Sequence, residues 1–401
     1  MRHFREFYFI IFSLKCNWST ISRQTGLYLQ LARTVTNKNN HEFRVELVQV
    51  LFRHGERTPR EKELWPNDPY DISVYEPWGL ARLTNQGKMR EYRIGQVLRE
   101  RYDKFLGDIY RPSDVYAFST DHDRTKTSLQ LVLAGLYHPT PAQTWNENLL
   151  WVPIPVHYMP EKVDDLMKPD TSSVYLDALD KVRNSEEVLK KVLVYKDLFK
   201  FLSEKTGINI TKTNQVYEIY NLLVAQKAMN FPSPDWCTDE ILKKLQEIVK
   251  LEYEIRSYTP QLKRLNGGPL IKRFIENIKI NEGRDTPRKI YLYGGHEVNI
   301  AGVAKALNFS EPEIPAYGSA IIVEKLSNAN GEIYIRMLLW TGVTEELIPY
   351  KLAGCEEICP IDRYLSIVKD IIPSDEEANH KWNLISKEEL QKLYEEKINF
   401  N

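Results

Sequence analysis

The chain has 401 residues, 42% of them hydrophobic and 11% aromatic, with 54 Lys and Arg against 55 Asp and Glu. That length implies two or three domains, or one domain with a large insertion, and the apolar fraction is ample for a packed core. A formal net charge of -1 gives no general affinity for nucleic acid or anionic membranes, so an anion site must be built locally from clustered cations.

At the amino terminus Arg2 and Arg5 precede an apolar run over residues 7–14, as in a short secretory signal, but Lys15, Cys16 and Asn17 follow where small residues are expected. Residues 1–40 hold six Lys or Arg and one acid, Glu6, so a transit-type leader is the other reading. We take 1–40 as a targeting or disordered extension and a secreted or lysosomal destination as the expectation. Sequons at Asn17, Asn209 and Asn308 are compatible with glycosylation along that route. No run reaches the ~18 apolar residues of a membrane span, and the polar carboxyl terminus offers no anchor.

Residues 43–52 are rich in Val, Leu and Phe with little alternation, which predicts a strand covered on both faces. A long helix is predicted after Leu83-Thr84-Asn85, with Met89, Tyr92, Ile94, Val97, Leu98 and Tyr102 on its apolar side. Residues 115–118 predict the next strand, and Ser119-Thr120-Asp121 supply capping residues for an apolar helix over 124–136. Strand, polar turn and helix make the βα unit of a parallel sheet. The segment Trp151-Val152-Pro153-Ile154-Pro155-Val156 is a stiff, extended exit. From about 160 to 280 the pattern is almost wholly helical, with apolar residues at three and four spacing over 185–205, 214–229 and 238–255. Asn266-Gly267-Gly268-Pro269 breaks that series. Strands are predicted again over 289–293, 320–326 and 332–340, the last two joined by a hairpin at Asn330-Gly331. The fold class is therefore α/β, a mainly parallel sheet flanked by helices. Residues 43–159 and 281–375 are expected to form one discontinuous α/β domain, 160–280 an inserted all-helical cap, and 376–401 a tail.

Arg53-His54-Gly55-Glu56-Arg57-Thr58-Pro59 follows the first strand directly. Two guanidinium groups thus flank an imidazole at a strand's run-out, where open α/β sheets place ligands. Arginine forks match phosphate oxygens, and histidine is a nucleophile that can stay neutral in mild acid. The plain alternative is a basic loop with a turn glycine. Asp123-Arg124-Thr125 opens the helix after the second strand, which brings Arg124 to the same edge. As a surface residue it would oppose the helix dipole, an objection that a local anion removes. Gly294-Gly295-His296-Glu297 follows the strand over 289–293, with paired glycines that let backbone approach a ligand. Taken alone, His296 is an ordinary loop residue and Glu297 a helix-start acid.

There are four cysteines, Cys16, Cys237, Cys355 and Cys359. The Cys355 to Cys359 pair lacks companions for a zinc site and reads as a small disulfide-closed loop in an oxidising compartment, with two free thiols as the alternative.

Together these segments resemble the histidine acid phosphatase family, of the prostatic and lysosomal type and including the secreted insect enzymes. The resemblance runs from about 43 to 373. It rests on Arg53-His54-Gly55-x-Arg57-x-Pro59, the family's principal motif, and on Ser119-Thr120-Asp121-x-Asp123-Arg124-Thr125. Leu149-Leu150-Trp151-x-Pro153-Ile154-Pro155-Val156-His157, Arg264-Leu265-x-Gly267-Gly268 and Gly354-Cys355-x-x-x-Cys359-Pro360 add to it. It implies a phosphoglycerate mutase-like fold in which His54 forms a phosphohistidine while Arg53, Arg57, Arg124 and His296 hold the nonbridging phosphate oxygens. Glu297 stands where the family usually has the aspartate that protonates the leaving alcohol, adding one methylene and about 1.5 Å of reach. Phe118 occupies a place where relatives often carry arginine.

The resemblance further implies metal-independent hydrolysis of phosphate monoesters at acidic pH, without cofactor, nucleic-acid partner or membrane anchor, and a homodimer as in the mammalian type. Independently of the family, three guanidinium charges should lower the pKa of both His54 and Glu297, and a bound phosphate dianion should partly offset the effect on Glu297. A phytase or inositol polyphosphate phosphatase is the runner-up, but it needs a basic rim, and 160–280 mixes Lys with many acids. A secreted binding or allergen-like protein without turnover is the alternative from another class. The loop over 65–78 and the helical block should shape the substrate pocket.

Overall fold

A computed structural model describes residues 43–378; the predicted 1–40 extension, with Cys16 and Asn17, and most of the 376–401 tail lie outside the described residues. The first half runs β1 (Phe43–Arg53), α1 (Asn85–Leu106), β2 (Val115–Ser119), α2 (Asp123–Leu136) and β3 (His157–Tyr158). Six helices follow: α3 (Ser173–Arg183), α4 (Glu186–Leu193), α5 (Lys196–Thr206), α6 (Thr213–Ala228), α7 (Asp239–Arg256) and α8 (Pro260–Asn266). Then come α9 (Gly268–Glu282), β4 (Ile290–Gly295), α10 (Glu297–Ala306), β5 (Ala320–Asn328), β6 (Ile333–Trp340), β7 (Leu347–Tyr350), β8 (Ile358–Pro360) and α11 (Ile361–Val368).

The strands form one sheet in the order β3-β2-β4-β1-β5-β6-β7, with β8 also on β6. Its β3-β2-β4-β1 half is parallel, as the βα pattern predicts; β5 runs antiparallel to β1, and the hairpin at Asn330-Gly331 continues that direction change into β6. Alternation along β1 explains its central place. Val48, Val50 and Phe52 pack with Ile94, Leu98, Leu129 and Val132 of α1 and α2. Leu47 and Leu51 face the other way, toward Ile271 and Phe274 of α9 and Val303 of α10. Helix α9, inside the range predicted as a helical block, thus covers the sheet. Helices α3 to α8 bury their own clusters, one around Phe199, Val216, Leu222 and Leu245, another around Tyr175, Leu179 and Leu262.

Three local expectations are corrected. Met89 is exposed, because the buried face of α1 is Glu91, Ile94, Leu98 and Tyr102, more than a third of a turn away. The N-cap of α2 is His122 and makes no side-chain capping bond; Thr120 turns to Thr125 and His296 instead. The helix predicted over 185–205 is two helices, broken at Val194-Tyr195, where Val192 and Tyr195 pack into both helical clusters and the chain turns from one to the other.

Close backbone approach through glycine fixes α1. A methyl at Gly95 would lie 2.1 Å from Val132 O on α2, and one at Gly87 would lie 2.1 Å from Glu56 O in the loop after β1. Gly95→Ala should force α1 and α2 apart and lower stability by roughly 1–3 kcal/mol in denaturant unfolding. Because residue 95 lies away from the β1 exit, turnover by the folded fraction should be unchanged.

Candidate active site

Three strand ends converge. Arg53 N donates to Ser319 O at 2.9 Å and His54 N to Gly295 O at 3.0 Å, tying the exit of β1 to β5 and β4. Thr120 N donates to Gly294 O at 3.1 Å, which brings the exit of β2 and the first turn of α2 to the same edge. His296 and Glu297 begin α10 directly after β4. Arg53, His54, Arg57, Arg124, His296 and Glu297 are all buried. The His54 and His296 rings lie 5.5 Å apart.

The state of His54 follows from one contact. Its Nδ1 is 2.8 Å from Gly55 O. A carbonyl only accepts, so Nδ1 carries the proton and Nε2 keeps its lone pair. Burial, then the charges of Arg124 and Arg53, holds its pKa well below the ordinary imidazole value. The ring is neutral.

His296 is placed by the same logic. Arg124 Nη2 lies 3.4 Å from its Nδ1 and can only donate, so Nε2 donates to Thr120 Oγ1 at 2.9 Å. Burial and Arg124 lower its pKa well below the ordinary value too. Both ring nitrogens thus engage protein groups, and in this state His296 holds Arg124.

The cations are unevenly paired. Arg57 makes a two-pronged bond to Glu63, at 2.7 and 2.6 Å, and Glu63 also accepts from Arg60 Nε at 2.7 Å. Arg53 Nε stands 3.2 Å from Glu297 Oε2, and Arg53 Nη1 donates to Pro315 O. Arg124 has no carboxylate partner among the described residues. Burial, then Arg57 and Arg60, pulls its pKa down to about 9. The Nε atoms of Arg57 and Arg124 are buried without a hydrogen-bond acceptor among the described residues, an arrangement suited to an oxyanion.

Glu297 sits between two holders. Besides Arg53, the buried hydroxyl of Tyr217 on α6 donates to its Oε1. Burial alone would raise its pKa, but Arg53, Arg60 and the Tyr217 bond outweigh that and hold it well below the ordinary carboxyl value. His54, His296 and Glu297 bring potential ligand atoms within 4.8 Å of one another. A dication there would face three guanidinium charges, whereas an anion is attracted by all three.

Arg53, His54, Arg57, Arg124, His296 and Glu297 therefore reach one place, and three partners were missed. Glu63, Tyr217 and Tyr317, whose ring lies under Arg53, belong to no local pattern, and Tyr217 comes from a helix 80 positions before Glu297. The role expected for the paired glycines is corrected. A methyl at Gly295 would meet Met167 Cε at 2.6 Å and Asn299 Oδ1 at 2.9 Å, and one at Gly294 would meet Thr125 O at 3.2 Å, so protein fills that space. Phe118 is buried beside Tyr293, in the core beneath the site. Cys355 and Cys359 form the short disulfide loop, and Cys237 is half-buried with no disulfide partner among the described residues. Asn209 and Asn308 are exposed. No described helix is long and apolar enough to cross a membrane.

Residues 44–340 match the model of the histidine phosphatase superfamily, branch 2. The chain is 42% identical to the venom acid phosphatase of Apis mellifera over 335 residues, 82% of this chain and 86% of that protein. It is 32% identical to human prostatic acid phosphatase over 356 residues, 87% and 90% of the two chains. Lysosomal acid phosphatase of Xenopus laevis is 30% identical over 337 residues, 82% of this chain and 77% of that protein. Among solved structures, the phytase of Hafnia alvei in complex with myo-inositol hexakis sulphate has the same fold, with a TM-score of 0.64 at 16% identity, covering 84% of this chain and 99% of that one.

The pairing of Glu63 gives a testable consequence. Burial would raise its pKa, but Arg57 and Arg60 bring it from 4.5 to about 2. A depressed carboxyl stabilises the fold above the unfolded value and loses that contribution as pH falls through the folded one. Stability should therefore decline between about 4.5 and about 2. Glu63→Gln should flatten that part of the curve in urea titrations. It should also weaken competitive inhibition by inorganic phosphate by about tenfold, one charge-assisted hydrogen bond's worth of Arg57 orientation.

Proposed function

Because this chain belongs to branch 2 of the histidine phosphatase superfamily and is an acid phosphatase, a hydrolase of phosphate monoesters, we propose that His54 is its nucleophile and Glu297 its proton donor. Arg53, Arg57 and Arg124 form the phosphate cradle, with His296 beside Arg124. The observation that carries this assignment is the bond from His54 Nδ1 to Gly55 O, which leaves the Nε2 lone pair free among three guanidinium groups.

In the first step Nε2 attacks phosphorus, the ester P–O bond breaks, and the departing alkoxide takes the proton of Glu297. The transition state is loose, so catalysis is mainly positioning and charge compensation on the equatorial oxygens. The cradle supplies both. In the second step the Glu297 carboxylate takes a proton from water as the water oxygen bonds phosphorus. The P–N bond breaks, its electron pair returns to Nε2, and inorganic phosphate leaves. Glu297 must begin protonated although its neighbours favour the carboxylate; the charge of the bound phosphate dianion opposes theirs. This favours an acidic optimum.

The disulfide between Cys355 and Cys359 supports a secreted or lysosomal setting, since disulfides persist in oxidising compartments. Helices α3 to α8, which bury their own clusters, are proposed to cap the site through α6.

His54→Ala should abolish hydrolysis of an aryl phosphate, and an alkaline quench of wild-type enzyme during turnover of a radiolabelled ester should leave label on His54. Label on another residue, or undiminished turnover by the variant, would refute the assignment. Activity should be unchanged by EDTA. A second expectation concerns Tyr217, whose bond stabilises the carboxylate form of Glu297. Tyr217→Phe should raise the Glu297 pKa, so the high-pH limb of kcat/KM for an alkyl phosphate should move to higher pH. An unmoved limb would count against Glu297 as the acid.

A further inference from the structure

A cavity of about 420 Å³ opens beside the reacting cluster, walled by Arg53, Tyr317, Tyr253 and, from α6, Tyr220, Asn221 and Val224. Two of its walls belong to the site itself. Arg53 Cζ lies 4.0 Å over the Tyr317 ring, whose centroid is 5.9 Å from that of His54. A third, Tyr253, packs edge-on against Tyr217, which holds Glu297. The cavity therefore lies on the side of the proton donor. A larger one of about 780 Å³, between α4 and α5, touches none of the site residues.

The lining has unmet hydrogen-bonding capacity. Tyr317 and Asn221 are each only 4% exposed, and neither Tyr317 OH nor Asn221 Nδ2 has a partner among the described residues. Buried donors are rarely left so unless something occupies them. The charges are different, because each cation there is already matched. Arg53 faces Glu297, Lys250 is paired with Glu313, and Glu311 adds a further acid at the rim. No wall cation remains for a second phosphate.

Resting on the phosphatase reading, we propose that this cavity seats the alcohol portion of the substrate. It selects esters with a single phosphate whose alcohol is flat, uncharged and equipped with a hydrogen-bond acceptor. The tyrosine faces of Tyr220 and Tyr253 take the ring, and Asn221 Nδ2 and Tyr317 OH donate to the acceptor. A polyphosphorylated alcohol meets Glu311 and Glu313 instead.

The test compares 4-acetylphenyl phosphate with phenyl phosphate in wild type and in Asn221→Leu. Taking each substrate's variant-to-wild-type ratio of kcat/KM cancels the difference in leaving-group acidity. Asn221→Leu should lose about fivefold to tenfold on the acetyl ester, one buried hydrogen bond's worth, and be unchanged on phenyl phosphate. Equal change on both esters, or none, overturns the proposal. Should that variant not fold, Val224→Phe narrows the same cavity. It should reduce turnover of both aryl esters while sparing ethyl phosphate, and equal loss on ethyl phosphate overturns the proposal. Wild type turning over myo-inositol hexakisphosphate faster than phenyl phosphate also overturns it. Wild type hydrolysing no ester at all would instead remove the phosphatase reading beneath it.

Discussion

A surplus buried cation governs this molecule. Arg53 and Arg57 each face a buried carboxylate, Glu297 and Glu63, while Arg124 in the first turn of α2 faces none among the described residues. Taking a guanidinium out of water costs several kcal/mol unless a counter-charge is supplied. The depression of the Arg124 pKa to about 9, by burial and by two neighbouring arginines, expresses that cost. A phosphate dianion closes the imbalance. The same field, added to burial, keeps the His54 ring neutral, so one charge excess sets both the preferred ligand and the reactive state of the proposed nucleophile.

Such a cluster repels itself, and interactions indifferent to charge hold it together. The ends of β1, β2 and β4 are cross-bonded through His54 N, Thr120 N and the carbonyls of Gly294 and Gly295. Behind them, Gly87 brings the backbone of α1 against Glu56 with no room for a side chain. The parallel half of the sheet thus presents three exits at one edge. The antiparallel half contributes mainly the turn before β5 that carries Tyr317.

What could be read in the sequence followed from locality. Arg53, His54, Arg57, Arg124, His296 and Glu297 each lie within a few positions of a strand end, and the strands announce themselves by apolar runs such as 43–52. Glu63 was out of reach because an acid nine positions after His54 looks like any solvated loop acid until its burial is known. Tyr217 and Tyr317 were hidden by sequence distance, and Tyr217 also by lying on a helix whose tyrosines fit a buried face. Met89 shows the converse error. An apolar residue near the right spacing was assigned to the core although its angle on α1 points to water, while Glu91 and Gly95 occupy the buried face. The break at Val194-Tyr195 was invisible because both residues continue the apolar spacing and only the packing of two separate clusters demands a turn.

The glutamate at 297 and the tyrosine at 217 make sense only together. An aspartate would end about 1.5 Å nearer the backbone and leave the Tyr217 hydroxyl, which is buried, without its acceptor. With glutamate, one carboxylate oxygen meets α6 and the other stands by Arg53. The neighbouring residue on α6, Glu218, accepts from Arg60 at 2.6 Å, and Arg60 in turn holds Glu63, the partner of Arg57. A single helix outside the sheet therefore touches the proposed proton donor directly and Arg57 of the proposed cradle through a chain of three ion pairs. Moving α6 relative to the sheet would change the environment of both, so its seating is part of the electrostatics of the reaction as well as of the pocket wall.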